Sequence, residues 1–165
     1  MNNFAYIDGT NLYKGLQGVG KELDYKKFRV WLLQKYRIKT AYIFMGYIAE
    51  QQQLYNYLKS VGFILIFKES IICKGKVKGN ADSELVLQSV RDVFEKEINN
   101  VVLVSGDGDF SCLVDFLREK NVFKTILIPN KKYCSYLLKK KQCSLTFLED
   151  PLIINKYTKI KRTPS

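Results

Sequence analysis

Histidine is absent from the 165 residues. That excludes His-nucleophile phosphoryl transfer, Ser-His-Asp and Cys-His catalysis, and His-based metal sites. Any chemistry must come from carboxylates with a metal, or from Lys, Tyr, Ser or Cys. No apolar run approaches the roughly 20 residues needed to span a membrane, so no membrane partner is expected. The start, Met1-Asn2-Asn3-Phe4, lacks a basic region and is not expected to be a signal peptide. The four cysteines, Cys73, Cys112, Cys134 and Cys143, include no Cys-x-x-Cys pair. A zinc site built from all four would need tighter spacing. Free thiols in a reducing cytoplasm are the expectation.

Acidic charge is also short. The chain carries 27 Lys and Arg against 16 Asp and Glu, a formal net charge of +11. From Lys124 onward there are ten basic side chains and only Glu149 and Asp150 as acids. A basic end of this kind predicts a polyanionic partner, nucleic acid first. The apolar fraction of 47% suits one globular domain with a real core.

Strand-like and helical runs alternate. Phe4–Asp8, Ala41–Tyr47, Phe63–Phe67, Val101–Ser105, Lys124–Ile128 and Leu145–Leu148 read as strands. Helical spacing predicts Asn11–Leu16, a helix capped by Asp24 through Tyr36, Glu50–Val61, a helix from Asn80 or Ala81, Asp109–Lys120 and Tyr133–Lys141. Ile71–Lys78 reads as an extended arm. This alternation argues for an α/β protein with a parallel sheet covered on both faces. Residues 1–150 form the expected domain. Residues 151–165 read as a basic C-terminal tail, Lys156 to Arg162 between Pro151 and Pro164, ordered only by a partner.

The chemistry concentrates where strands end. Val101-Val102-Leu103-Val104 runs into Ser105-Gly106-Asp107-Gly108-Asp109, and Ala5-Tyr6-Ile7 runs into Asp8. Ligands of open α/β sheets bind beyond the carboxyl ends of the strands. Side by side, two such ends gather three carboxylates, which repel one another unless a cation joins them. Mg²⁺ and Mn²⁺ suit this all-oxygen set. Asp109 could equally cap the next helix, and Asp82, in the first turn of its helix, could simply complement the dipole there. Gly108 is expected to permit a tight turn. Asn11 would aim an amide at the same point, and Ser105 offers a hydroxyl.

Three blocks taken together resemble the signature of the NYN domain. They are Tyr6-Ile7-Asp8-Gly9-Thr10-Asn11-Leu12, Lys78-Gly79-Asn80-Ala81-Asp82-Ser83-Glu84-Leu85 and Val102-Leu103-Val104-Ser105-Gly106-Asp107-Gly108-Asp109-Phe110. The similarity runs from about Phe4 to Leu148. It implies a PIN-like, Rossmann-like three-layer α/β/α sandwich and metal-dependent ribonuclease activity. It implies metal-binding roles for Asp8, Asp82, Asp107 and Asp109, with Asn11 in support. A homodimer would also be in keeping with it.

Basic residues offer a grip on substrate. Lys74, Lys76 and Lys78 alternate, so an extended arm would place them on one face, either as a phosphate strip or as edge protection. Lys131, Lys132, Lys139 and Lys140 flank Tyr133 and Tyr136, a mixture that suits single-stranded RNA. Tyr136 is expected to pack inward. Lys14 lies close to Asp8 in sequence. The resulting expectation is an Mg²⁺- or Mn²⁺-dependent ribonuclease, with Asp8, Asp107 and Asp109 as the main cluster and Asp82 completing it. A basic RNA-binding module with a silent acidic site and a metal-dependent phosphatase are the alternatives.

Overall fold

The computed structural model describes residues 1–68, 71–73, 76–78 and 81–160. Six strands form a single parallel sheet: β1 (Asn3–Asp8), β2 (Ile38–Gly46), β3 (Ile64–Lys68), β6 (Asn100–Val104), β7 (Phe123–Ile128) and β8 (Leu145–Phe147). Their order across the sheet is β3-β2-β1-β6-β7-β8. The chain builds outward from β1 to β3, then returns to lay β6 on the free side of β1. The return creates a switch point between β1 and β6, where an open sheet leaves a crevice at its carboxyl edge.

Helices cover both faces, because buried parallel strands need apolar partners on each side. Successive residues of β6 divide accordingly. Val102 and Val104 join a core with Leu12 and Leu16 of α1 (Gly9–Gly18), Phe28 and Trp31 of α2 (Tyr25–Tyr36) and Leu58 of α3 (Gln52–Ser60). Val101 and Leu103 face Leu85 of α4 (Asp82–Glu95), Leu113 and Leu117 of α5 (Ser111–Glu119) and Leu138 of α6 (Tyr136–Lys140). This is the three-layer α/β/α sandwich that the sequence led us to expect. Among the described residues, no helix is long and apolar enough to cross a membrane.

Two expectations change. Ile71–Lys78 is not one extended arm. Ile71–Cys73 (β4) and Lys76–Lys78 (β5) pair antiparallel, with Cys73 opposite Lys76. Lys76 and Lys78 still occupy alternate positions of one strand, whereas Lys74 and Asn80 lie outside the described residues.

The second change concerns the boundary at residue 150. The segment after it folds back, Tyr157 onto α2 and Lys159 onto Glu22 just before it. The Tyr157 ring is fully buried, 4.8 Å from Trp31 and 5.6 Å from Phe28 between centroids. Its hydroxyl donates to the Leu148 carbonyl at 2.5 Å. Asp24 N–H donates to the Tyr157 carbonyl at 2.9 Å, and Lys159 N–H to the Glu22 carbonyl at 2.8 Å. Basic composition concealed the apolar anchors Ile154 and Tyr157, which belong to the main core.

Candidate metal centre

The site is assembled at the switch point. Ile7 of β1 is level with Val104 of β6, so the residues that follow them, Asp8 and Ser105, are neighbours. The Ser105 hydroxyl donates to Asp8 Oδ2 at 3.0 Å and accepts the Asp107 N–H at 3.1 Å. Asp8 Oδ1 caps α1 by accepting the Asn11 N–H at 3.1 Å. The Asn11 Oδ1 in turn accepts the Gly106 N–H at 2.9 Å. Only the amide oxygen can take that bond, so the NH₂ end of Asn11 is left for the cleft. Two loops that lie far apart in sequence are thus stitched into one rigid edge.

Asp107 Oδ1 accepts the Asp109 N–H at 2.9 Å and starts a short 3-10 turn over Gly108–Phe110. Helix α5 follows with Phe110 at its cap position and no side-chain cap. Asp109 therefore does not cap α5, as the sequence had allowed, and its carboxylate points elsewhere. Gly108 has no positive φ. Its role is closeness, since a Cβ there would collide with the Ser135 side chain at the start of α6.

Asp82, Asp107 and Asp109 each offer a carboxylate oxygen, and these oxygens lie within 4.8 Å of one another. Asp8 adjoins this trio, close enough for its charge to act on Asp82, and each of its oxygens accepts one hydrogen bond, from Asn11 and from Ser105, leaving further lone pairs. Of the four expected carboxylates, Asp82, Asp107 and Asp109 thus converge, with Asp8 next to them. Mutual repulsion is evident. Partial burial, then Asp8, Asp107 and Asp109, push the Asp82 carboxyl up to about 6, with Lys68 pulling the other way. Burial also raises Asp8, against its hydrogen bonds from Asn11 and Ser105. An all-carboxylate donor set under this repulsion fits a hard divalent cation such as Mg²⁺ or Mn²⁺.

The NYN domain model matches residues 4–148. The chain belongs to the NYN domain family. It is accordingly a member of the PIN-like nucleases, and nucleic acid is the class of substrate this suggests. Among curated proteins, none matches. Among solved structures, a protein of unknown function from Vibrio parahaemolyticus, VPA0982, is similar in fold, with a TM-score of 0.77 and 23% identity over 96% of each chain.

In this NYN domain a cleft of about 550 Å³ opens from the carboxylates along α1. Asp8, Asn11, Lys14, Asp82, Asp107, Asn130 and Tyr133 are among the residues that line it. Asp82 and Asp109 also border a second, more apolar hollow with Val86, Leu87 and Phe110. Of the predicted basic residues, Lys14 reaches the cleft directly. Lys132 reaches it through Tyr133, with Nζ 5.4 Å from the ring centroid. Lys131 turns away to the Phe147 ring at 5.4 Å. Lys139 and Lys140 lie exposed on α6. Tyr136 does not pack inward: it is exposed, and Leu138 fills the core position instead.

Sequence reading missed Lys68 and Glu84, which approach to 4.0 Å beside the cluster. Lys68 ends β3, so the same strand-end rule that found Asp8 applied to it. The role of Asn130, which ties its own turn to α1 from a position far from the signature blocks, left no local signal.

Proposed function

We propose that this NYN domain is a divalent-cation-dependent ribonuclease that hydrolyses RNA phosphodiester bonds, acting on unpaired regions. The observation that carries this reading is the convergence of Asp82, Asp107 and Asp109 at the carboxyl edge of the sheet, where Asp82 and Asp107 line a cleft. A net charge of +11 around an acidic floor adds to it, since the surrounding cations attract a polyanion and the floor holds the ion.

Asp82, Asp107 and Asp109 would hold Mg²⁺ or Mn²⁺, with Asp8 adding negative charge alongside. When bound, such an ion supplies Lewis acidity toward the phosphoryl group and makes water a better nucleophile at neutral pH. The protein's own part is positional. Ser105 locks the orientation of Asp8 and holds the backbone of Asp107 through one hydroxyl. Asn11 presents its NH₂ to the cleft as a donor for a phosphate oxygen. Lys14, on the next turn of α1, neutralises an adjoining phosphate. No side chain has to act as a nucleophile, in keeping with the missing histidine.

The test is RNA cleavage in Mn²⁺ by the wild type and by the double variant Asp8→Asn with Asp107→Asn. The variant is expected to fall to the level of a chelated control. Unchanged cleavage by a clean preparation sinks the proposal. Salt-sensitive RNA binding that ignores chelator, with no cleavage by the wild type, would favour a silent binding module instead.

A further inference from the structure

Tyr133 is an exposed aromatic on an unusually well-fixed piece of backbone. The residue is 62% exposed, yet it lines the same cleft as Asp8, Asp82 and Asp107. The short 3-10 turn Lys131–Tyr133 that presents it is pinned from three sides. Asn130 is buried and uses both ends of its amide. Its Oδ1 accepts the Lys132 N–H at 3.0 Å, and its Nδ2 donates to the Gly15 carbonyl of α1 at 3.1 Å. Tyr133 N–H closes the turn on the Asn130 carbonyl at 3.1 Å. On the other side, Ser135 N–H donates to the Gly106 carbonyl at 3.0 Å, within the same turn that carries Asp107. A Cβ on Gly106 would lie 3.3 Å from the Tyr133 carbonyl, and one on Gly18 would lie 3.8 Å from Tyr133 Cε2. The backbone of Tyr133 thus packs against the carboxylate turn while its ring edge lies by the end of α1, and the Ser135–Gly106 bond ties its turn to the one that carries Asp107.

We propose that Tyr133 is a stacking platform for one unpaired base next to the scissile phosphate, and that this contact makes the protein select single strands over duplex. The proposal rests on the nucleic-acid reading given above. An exposed ring held by a buried polar scaffold costs little to order on binding, which is what a platform requires. Any base has a π-face to offer, so the contact is tolerant of sequence. A paired base in an A-form helix is already stacked and cannot turn its face to the ring. Lys132, over the same ring, stands ready to meet the phosphate that follows the stacked base.

The experiment measures binding of a short labelled RNA by fluorescence anisotropy in chelator, where cleavage plays no part. Tyr133→Ala is expected to weaken binding by roughly five- to a hundredfold, the range of one base–aromatic stack. Tyr133→Phe, which keeps the π-face, should bind within about twofold of wild type. Removing the base at a single position of the RNA should cost wild type the same factor and cost Tyr133→Ala nothing further, because a contact already lost cannot be lost again. Duplex RNA should be indifferent to both substitutions. Equal binding of single strands by wild type and Tyr133→Ala overturns the platform, and so does an additive effect of the base-free position. These outcomes are separate from the fate of the nuclease reading. Loss of cleavage in the aspartate variants with unchanged binding by Tyr133→Ala leaves the nuclease and removes the platform. Tyr133-dependent binding without cleavage does the reverse.

Discussion

Replacing Asp82 by Asn separates two explanations of why an acid sits there. In the cluster, ionising Asp82 is costly: its carboxyl is pushed up to about 6 from an ordinary 3.8. A group whose folded value is raised lends the fold stability below its unfolded value, and that stability is lost as pH rises through the folded value. Above about pH 6 the wild type therefore carries the full penalty. Its ceiling is ~3 kcal/mol. Asp82 is only half-buried, and solvent screening brings the figure to about 1 kcal/mol. Asn has the shape of the protonated acid and no charge to lose. In chelator, above pH 6, Asp82→Asn should therefore melt about 2–4 °C higher than wild type, and the gap should close as pH falls toward 3.8. The assay is thermal unfolding followed by circular dichroism across that range. Saturating Mn²⁺ should reverse the order, because the wild type alone keeps the full set of carboxylates for the ion. If the dipole of α4 governed Asp82 instead, the sign would invert: the variant would lose about 0.3–1 kcal/mol above pH 6. That inverted result refutes the cluster argument.

Two further outcomes are expected. Tyr157→Ala should cost about 3–5 kcal/mol, as truncating a buried aromatic does, and lower the melting temperature by roughly 6–20 °C; a melting temperature within a degree or so of wild type would mean that residues 151–160 are not part of the core. Lys14→Gln should weaken RNA binding evenly across sequences and lower the slope of log affinity against log salt by about 1; an unchanged slope in titrations at several salt concentrations would remove Lys14 from the phosphate track.

The strand-end aspartates were legible because two rules coincide there. Buried parallel strands read as short apolar runs, and sheets place their ligands where those runs stop. That was enough to find Asp8, Asp107 and Asp109 and the sandwich around them. The network that holds these carboxylates was not legible, because it depends on hydrogen bonds between distant loops. Nothing near Asp8 in sequence announces that Ser105, 97 positions away, donates to its carboxylate. Asp82, on a helix start, reads like a dipole partner, but the return of the chain to β6 sets it against Asp107. The tail misled for another reason. Charge counts describe a segment's surface, and they concealed Ile154 and Tyr157, the apolar anchors among the lysines.

The return of the chain across β1 has a consequence in time. Ser105 and Asp8 meet across 97 positions of sequence. During synthesis β1, β2 and β3 emerge first and can pair by themselves, with Asp8 at a bare strand edge. The carboxylates of the α4 start and of the β6 turn arrive later, and they converge only when β6 takes its place beside β1. Contacts of such long range form late and slowly. A partly made chain therefore holds one isolated acid and a half-built sheet, with no pocket for a cation.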